Sequence, residues 1–176
     1  MDNDIKVLKQ YLQDHPEHIP TWRELAYKYY ERKEYRNAIS AYKKAVELDP
    51  NDAILWQNLG FMYYEIKEFQ HAIDALRRAL KINPKLAISY SELSSIYIDM
   101  GEYNKAIEAA KNAIKLDPND TDARTNLGSS YFNQGLYQKA INELNKVLDK
   151  NPHLEFPKKV LQLAKSAQNA NSEKKN

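Results

Sequence analysis

A strict period of 34 residues limits what this chain can fold into more than any other feature of its sequence. Prolines recur at this interval without an insertion, and leucine, tyrosine, alanine and isoleucine recur in the same register between them. The tracks are Pro16, Pro50, Pro84, Pro118 and Pro152; Leu25, Leu59, Leu93 and Leu127; Tyr29, Tyr63, Tyr97 and Tyr131; Ala38, Ala72, Ala106 and Ala140; and Ile39, Ile73, Ile107 and Ile141. Such self-similarity is typical of stacked repeats. The sequence therefore predicts an array in which each repeat packs on its neighbours.

Each period predicts two helices joined by a short polar turn. An aromatic residue stands early in the first helix (Trp22, Trp56, Tyr90), and Leu and Tyr follow on the same face at i+3 and i+7. Small residues in the second helix allow the pair to approach closely, and the recurring proline ends it because an interior proline costs about 3 kcal/mol. The Asp and Asn residues of the loops 49–52 and 117–120 are expected to cap the next helix.

The second period resembles the tetratricopeptide repeat, or TPR. Its matching residues are Trp56, Leu59, Gly60, Tyr63, Ala72, Ala79 and Pro84, with Leu76 where the family usually has an aromatic residue. The resemblance implies an all-α fold, a right-handed superhelical solenoid of ten helices. The predicted segments are an N-terminal half-unit helix (1–18), four repeats (19–52, 53–86, 87–120 and 121–154), a C-terminal capping helix (155–170) and a disordered tail (171–176).

The two ends of the array depart from the repeat pattern. Ile5, Leu8 and Leu12 share one face of the N-terminal helix, which aligns with the second helix of a repeat. The capping helix is expected to pack through Phe156, Val160, Leu161 and Ala164. In the fourth repeat Arg124 replaces the early aromatic residue. Of the four glycines, the resemblance implies that Gly60 and Gly128 lie where helices pack closest, and Gly101 and Gly135 lie in the turns between helices.

The sequence offers no catalytic constellation, so we predict no enzyme activity, cofactor or metal. The four histidines have no metal-ligand spacing, and no phosphate-binding loop or nucleophile elbow occurs. The formal charge of +2 points to no particular partner, and the absence of cysteine fits a reducing compartment. No signal peptide or membrane-spanning run is present, so we expect a cytoplasmic protein without membrane insertion.

The resemblance also implies a binding surface. In the TPR family the first helices of the repeats line a concave groove that holds a peptide or a partner helix. The groove residues predicted here are Arg23, Tyr27, Tyr30, Glu31, Gln57, Asn58, Phe61, Tyr64, Glu65, Glu92 and Asn126. The chain is therefore predicted to be a protein-binding adaptor or scaffold.

Several alternatives stay open at this point. Tyr27 and Phe61 are either a binding hot spot or packing between first helices. Glu31, Glu65 and Asp99 recur by 34 residues and either favour a basic or amphipathic partner or are simply solvated. The residues that form a chaperone carboxylate clamp in some TPR proteins are not matched, so no clamp is expected. Self-association is an alternative function, and nucleic-acid binding by second-helix lysines is a less favoured one because exposed aromatic residues are missing there.

Overall fold

The computed structural model describes residues 2–173 of the chain, and the chain divides into two compact units, Met1–Lys85 and Leu86–Asn176. The first unit contains helices α1 (Asp2–Asp14), α2 (Ile19–Glu31), α3 (Tyr35–Leu48), α4 (Ala53–Glu65) and α5 (Phe69–Ile82). Helix α1 packs on α2, α2 on α3, α3 on α4 and α4 on α5. Each helix therefore contacts its neighbours in sequence, as expected for an array built from local contacts.

The second compact unit contains the other five helices. They are α6 (Ala87–Asp99), α7 (Tyr103–Leu116), α8 (Thr121–Asn133), α9 (Tyr137–Lys150) and α10 (Glu155–Glu173). Helix α8 contacts α6, α7 and α9, and α10 packs on α9 and α8. Residues 2–173 thus hold ten helices and no strand, and the predicted all-α class is confirmed.

Local chemistry sets where the helices begin and end. The predicted capping aspartates act as expected, since the Asp52 carboxylate accepts from the backbone of residues 54 and 55 and Asp120 accepts from residue 123. The turns between paired helices need one residue in the left-handed region. Gly101 and Gly135 supply it at φ of 74° and 73°, and the same position is filled at φ of 60° by Lys33 and Lys67.

The closest helix contacts occur at the two predicted glycines. A Cβ added to Gly60 would lie 2.8 Å from Leu76 Cγ, and one added to Gly128 would lie 2.7 Å from Leu144 Cγ. Both leucines are fully buried. The third repeat has Ser94 at this position, and the serine hydroxyl donates to the carbonyl of residue 106 at 2.9 Å. The prediction that Gly60 and Gly128 lie at close approaches is confirmed.

Hydrogen bonds from the early aromatic residues tie each first helix to the loop before it. Trp22 Nε1 donates to the Pro16 carbonyl at 2.7 Å, and Trp56 Nε1 donates to the Pro50 carbonyl at 3.0 Å. In the fourth repeat Arg124 makes the corresponding hydrogen bond, since its Nη2 donates to the carbonyl of residue 118 at 3.0 Å. Its Nη1 also donates to Glu143 at 2.9 Å. The replacement therefore keeps the hydrogen bond of the repeat and adds an ion pair.

A second recurring contact covers the tyrosine that ends the buried face of the first helix. His71 stacks on Tyr63 with ring centroids 5.1 Å apart. One and two repeats later, lysine takes the place of that histidine: Lys105 Nζ lies 5.6 Å from the ring of Tyr97, and Lys139 Nζ lies 5.7 Å from that of Tyr131. These ammonium groups are attracted to the ring faces. The side chain eight residues after the tyrosine therefore covers the tyrosine ring.

The structure differs from two expectations about the C-terminal region. Val160 and Ala164 are buried against α8 and α9, but Phe156 is 60% exposed. Phe156 lies in the first turn of α10, where Pro157, seven residues before Ala164 and so on its side of the helix, is buried instead. Of the tail predicted for 171–176, residues 171–173 are helical, since α10 continues through residue 173 and Ser172 Oγ donates to the carbonyl of residue 168 within it. Residues 174–176 lie outside the described part of the chain.

Candidate functional site

Aromatic side chains form a cluster on the surface that α2 and α4 share, which we call the α2/α4 face. Tyr30 and Phe61 meet edge to face with ring centroids 5.7 Å apart, and Tyr27 lies 6.3 Å from Tyr30. Phe61 and Tyr30 are half-buried, whereas Tyr27 is 52% exposed. The tyrosine that begins α3, Tyr35, joins the cluster at 6.2 Å from Tyr30. The cluster therefore combines a packed pair with one ring that is open to a partner.

Two carboxylates of this face, Glu31 and Glu65, have partners within the chain. Glu31 accepts from Lys28 at 3.0 Å, and this hydrogen bond with its ion pair raises the pKa of Lys28. Glu65 accepts a hydrogen bond from the Tyr35 hydroxyl, which raises the pKa of Tyr35. Of the acidic residues predicted to attract a basic partner, both members on this face thus have partners within the chain. Glu24 and Arg23 are exposed beside them.

The surface of the second compact unit that α6 and α8 share, the α6/α8 face, is polar and more closely packed. Asn126 Nδ2 donates to the carbonyl of residue 91 at 3.3 Å and to Ser95 Oγ at 2.9 Å, which joins α8 to α6. Burial raises the pKa of the Glu92 carboxyl to about 8. Its Oε2 is inaccessible to water and has no hydrogen-bond partner among the described residues. Asn126 and Glu92 therefore organise the face rather than extend from it.

The predicted groove residues differ in how far a partner could reach them. Gln57 is only 9% exposed and makes contacts within the chain, so a partner could reach little of its side chain. Asn58 and Tyr64 are half-buried, and Tyr64 packs on Phe69 with ring centroids 6.2 Å apart. Tyr35 was missed by the prediction. Its signal is a further aromatic track in the sequence, since Phe69, Tyr103 and Tyr137 occupy the same position in the later repeats.

The second-helix lysines that could serve nucleic-acid binding are also partly engaged. Lys44 pairs with Glu47 at 2.8 Å, and Lys146 pairs with Glu143 at 2.8 Å. Lys43 Nζ lies 5.8 Å from the ring of Tyr63. No helix within residues 2–173 combines the length and apolar character needed to cross a membrane.

The chain is similar to two family models and to several solved structures. A family model described as the TPR domain of cytochrome c-type biogenesis protein H matches residues 43–154, and a tetratricopeptide repeat model matches residues 19–52. No curated protein matches the chain. A crystal structure of MamA is 34% identical, with a TM-score of 0.79 over 84% of this chain and 86% of that chain.

Two more distant structures share the fold. YrrB, described as a TPR protein with an unusual peptide-binding site, is 21% identical with a TM-score of 0.71 over 92% of both chains. The first TPR of Spaghetti (RPAP3), bound to the HSP90 peptide SRMEEVD, is 19% identical with a TM-score of 0.65 over 68% of this chain and 95% of that chain. The chain belongs to the tetratricopeptide repeat family, and it is a protein-interaction module.

Proposed function

We propose that the α2/α4 face binds a peptide segment or helix of a partner protein, with Tyr27 as its anchor. The exposed ring of Tyr27 beside the packed Tyr30–Phe61 pair carries this proposal. A rigid aromatic surface loses little conformational entropy on binding, and aromatic anchors typically dominate binding energies. The partner would insert an apolar side chain against Tyr27 and Phe61.

The charges beside the cluster support an amphipathic or basic partner. Glu24 is exposed, and Glu31 keeps 44% of its side-chain surface accessible although it pairs with Lys28. A partner lysine or arginine could share this carboxylate. Exposed pairs of this kind contribute only about 0 to 1 kcal/mol each. Charge would therefore select the orientation of the partner, while the aromatic contacts would supply most of the affinity.

A carboxylate clamp is not part of this proposal. Glu92 and Ile88 occupy two positions where a clamp in the first three repeats needs a cation, and Tyr27 stands where it needs an asparagine. Because neither Glu92 nor Ile88 supplies the positive charge that a clamp uses, a peptide ending in acidic residues is not the expected ligand.

The Tyr27→Ala/Phe61→Ala variant tests the proposal in an affinity capture from native lysate. Wild type should retain a partner that the double variant loses, because truncating a central aromatic anchor commonly costs more than about 2 kcal/mol of binding energy. Tyr11→Ala is a matched control, since Tyr11 is also an exposed tyrosine (42%) of the same compact unit but lies on α1. It should leave capture unchanged.

Thermal unfolding of the same variants distinguishes binding from folding. Phe61 is half-buried, so its truncation is expected to lower stability, whereas Tyr27→Ala alone should unfold close to wild type. Retention of the partner by the double variant would place the binding surface elsewhere. If Tyr27→Ala alone lowered stability by about 3 kcal/mol, Tyr27 would be a core residue and not an anchor.

Self-association is a second candidate function, and the exposed side of α10 favours it. Phe156 (60% exposed) and Leu163 (47% exposed) are seven residues apart and so share one side of that helix. Phe156→Ser/Leu163→Ser is expected to abolish any concentration-dependent increase in mass measured by light scattering. A wild-type chain that stays monomeric at all concentrations, or an assembly that persists in the variant, would reject α10 as the interface.

A further inference from the structure

An open pocket lies between the first three helices, away from the aromatic cluster of the α2/α4 face. Its volume is about 420 Å³, which falls in the usual range for small-molecule sites. Apolar side chains from α1, α2 and α3 form its wall, namely Leu12, Trp22, Leu25, Tyr29 and Ala41. Apolar surface of this shape favours a ligand with an apolar body.

The first repeat lacks the side chain that covers the tyrosine ring in the later ones. His71, Lys105 and Lys139 cover the tyrosine rings of their repeats, and the residue in register with them here is Asn37. The Asn37 amide instead donates to Glu34 at 2.7 Å. Tyr29 has no ring contact with another aromatic or cationic side chain of residues 2–173. Its ring therefore lines the pocket.

The pocket carries positive charge. Lys9 and Lys44 are the charged side chains among its lining residues. Lys44 pairs with Glu47 at 2.8 Å, whereas Lys9 has no ion-pair partner within residues 2–173. Gln13 and Ser40 add polar groups between them. A cationic ligand would be repelled here, and an anion would be attracted.

We propose that this pocket binds a small organic anion that has an apolar body, such as an aromatic or aliphatic carboxylate. The apolar body would lie against Trp22 and Tyr29, and the acidic group would reach Lys9 and Lys44. The site does not depend on the peptide-binding surface proposed above, because it uses other residues.

The aromatic anion 8-anilinonaphthalene-1-sulfonate is a suitable probe, with binding followed by fluorescence and decanoate as competitor. Wild type should bind the probe, and decanoate should displace it. Lys9→Gln/Lys44→Gln should weaken binding by roughly 3- to 10-fold, as expected for two exposed charges. Lys111→Gln is the matched control, since Lys111 is exposed and lies in the same register as Lys9 three repeats later. It should leave binding unchanged.

Asn37→Lys separates the pocket from general charge attraction. The new lysine should cover Tyr29 as Lys105 covers Tyr97 and so weaken binding at least about tenfold, although the added positive charge alone would strengthen it. In two-dimensional NMR spectra, the probe should shift the indole signal of Trp22 and leave that of Trp56 in place. Absence of binding, equal binding by Asn37→Lys, or a shift of Trp56 alone would each overturn the proposal.

Discussion

Glu92→Gln is expected to raise the free energy of unfolding by about 3 kcal/mol at pH 7, since each pH unit between the unfolded and folded pKa values is equivalent to about 1.4 kcal/mol. Burial raises the pKa of this carboxyl from 4.5 to about 8, and its Oε2 has no hydrogen-bond partner among the described residues. The folded chain must therefore hold a proton at neutral pH that the unfolded chain has released. A neutral amide of nearly the same shape avoids this cost.

The sign of the pH dependence follows from the same argument. Between pH 4.5 and about 8 the folded state binds one more proton at Glu92 than the unfolded state. The contribution of Glu92 to the free energy of unfolding thus falls as the pH rises through this window, and it levels off above the folded pKa. The difference between wild type and variant should be small below about pH 4.5 and largest above about pH 8.

Urea unfolding of both proteins across this pH range measures the effect. Glu108→Gln is a suitable control, because Glu108 is an exposed glutamate on the neighbouring helix α7, and surface substitutions usually change stability by less than about 0.5 kcal/mol. Parallel pH profiles for wild type and Glu92→Gln would contradict the prediction.

Gly128→Ser is expected to destabilise the chain by about 1–3 kcal/mol, because the new Cβ would lie 2.7 Å from the Leu144 side chain. Leu144→Ala should cost about 2–5 kcal/mol on its own, since Leu144 is fully buried. The double variant recreates the pair Ser94 and Ala110 that the third repeat has in this register. Its loss of stability should therefore be smaller than the sum of the single losses by about 1 kcal/mol or more.

Denaturant unfolding of the two single variants and the double variant gives this coupling energy. Gly101→Ala provides the contrast, because a Cβ at Gly101 meets nothing within 4 Å but must adopt a φ of +74°. Its cost should come from the backbone and be independent of Leu144. Strict additivity of Gly128→Ser and Leu144→Ala would show that the two side chains do not compete for the same space.

The fold could be predicted from the sequence because the same local pattern occurs in four repeats. The capping aspartates Asp52 and Asp120, the turn glycines and the close contacts at Gly60 and Gly128 all follow from residue type and register. The exchange of the Gly–Leu pair for a Ser–Ala pair in the third repeat can also be found in the sequence, by comparing the two helices of each repeat.

The candidate site was less predictable, since the period places a residue on a face but does not give its depth or its partners. Gln57 and Arg23 occupy the same repeat position, yet one is buried and the other is exposed. The hydrogen bond from Tyr35 to Glu65 joins residues 30 positions apart, and neither residue type predicts it. Phe156 is a second example, because the pattern places it on the side of Val160 but does not show that the first turn of α10 leaves it exposed.

The hydrogen bonds from Trp22 and Trp56 change where a transferable segment of this array should be cut. By sequence pattern, each proline closes the repeat before it. By bonding, the carbonyls of Pro16 and Pro50 belong to the helix that follows, since they accept from its indole nitrogen. A graft or an excised fragment that starts at the first helix would leave that nitrogen without its acceptor. One that starts before the proline carries a complete module.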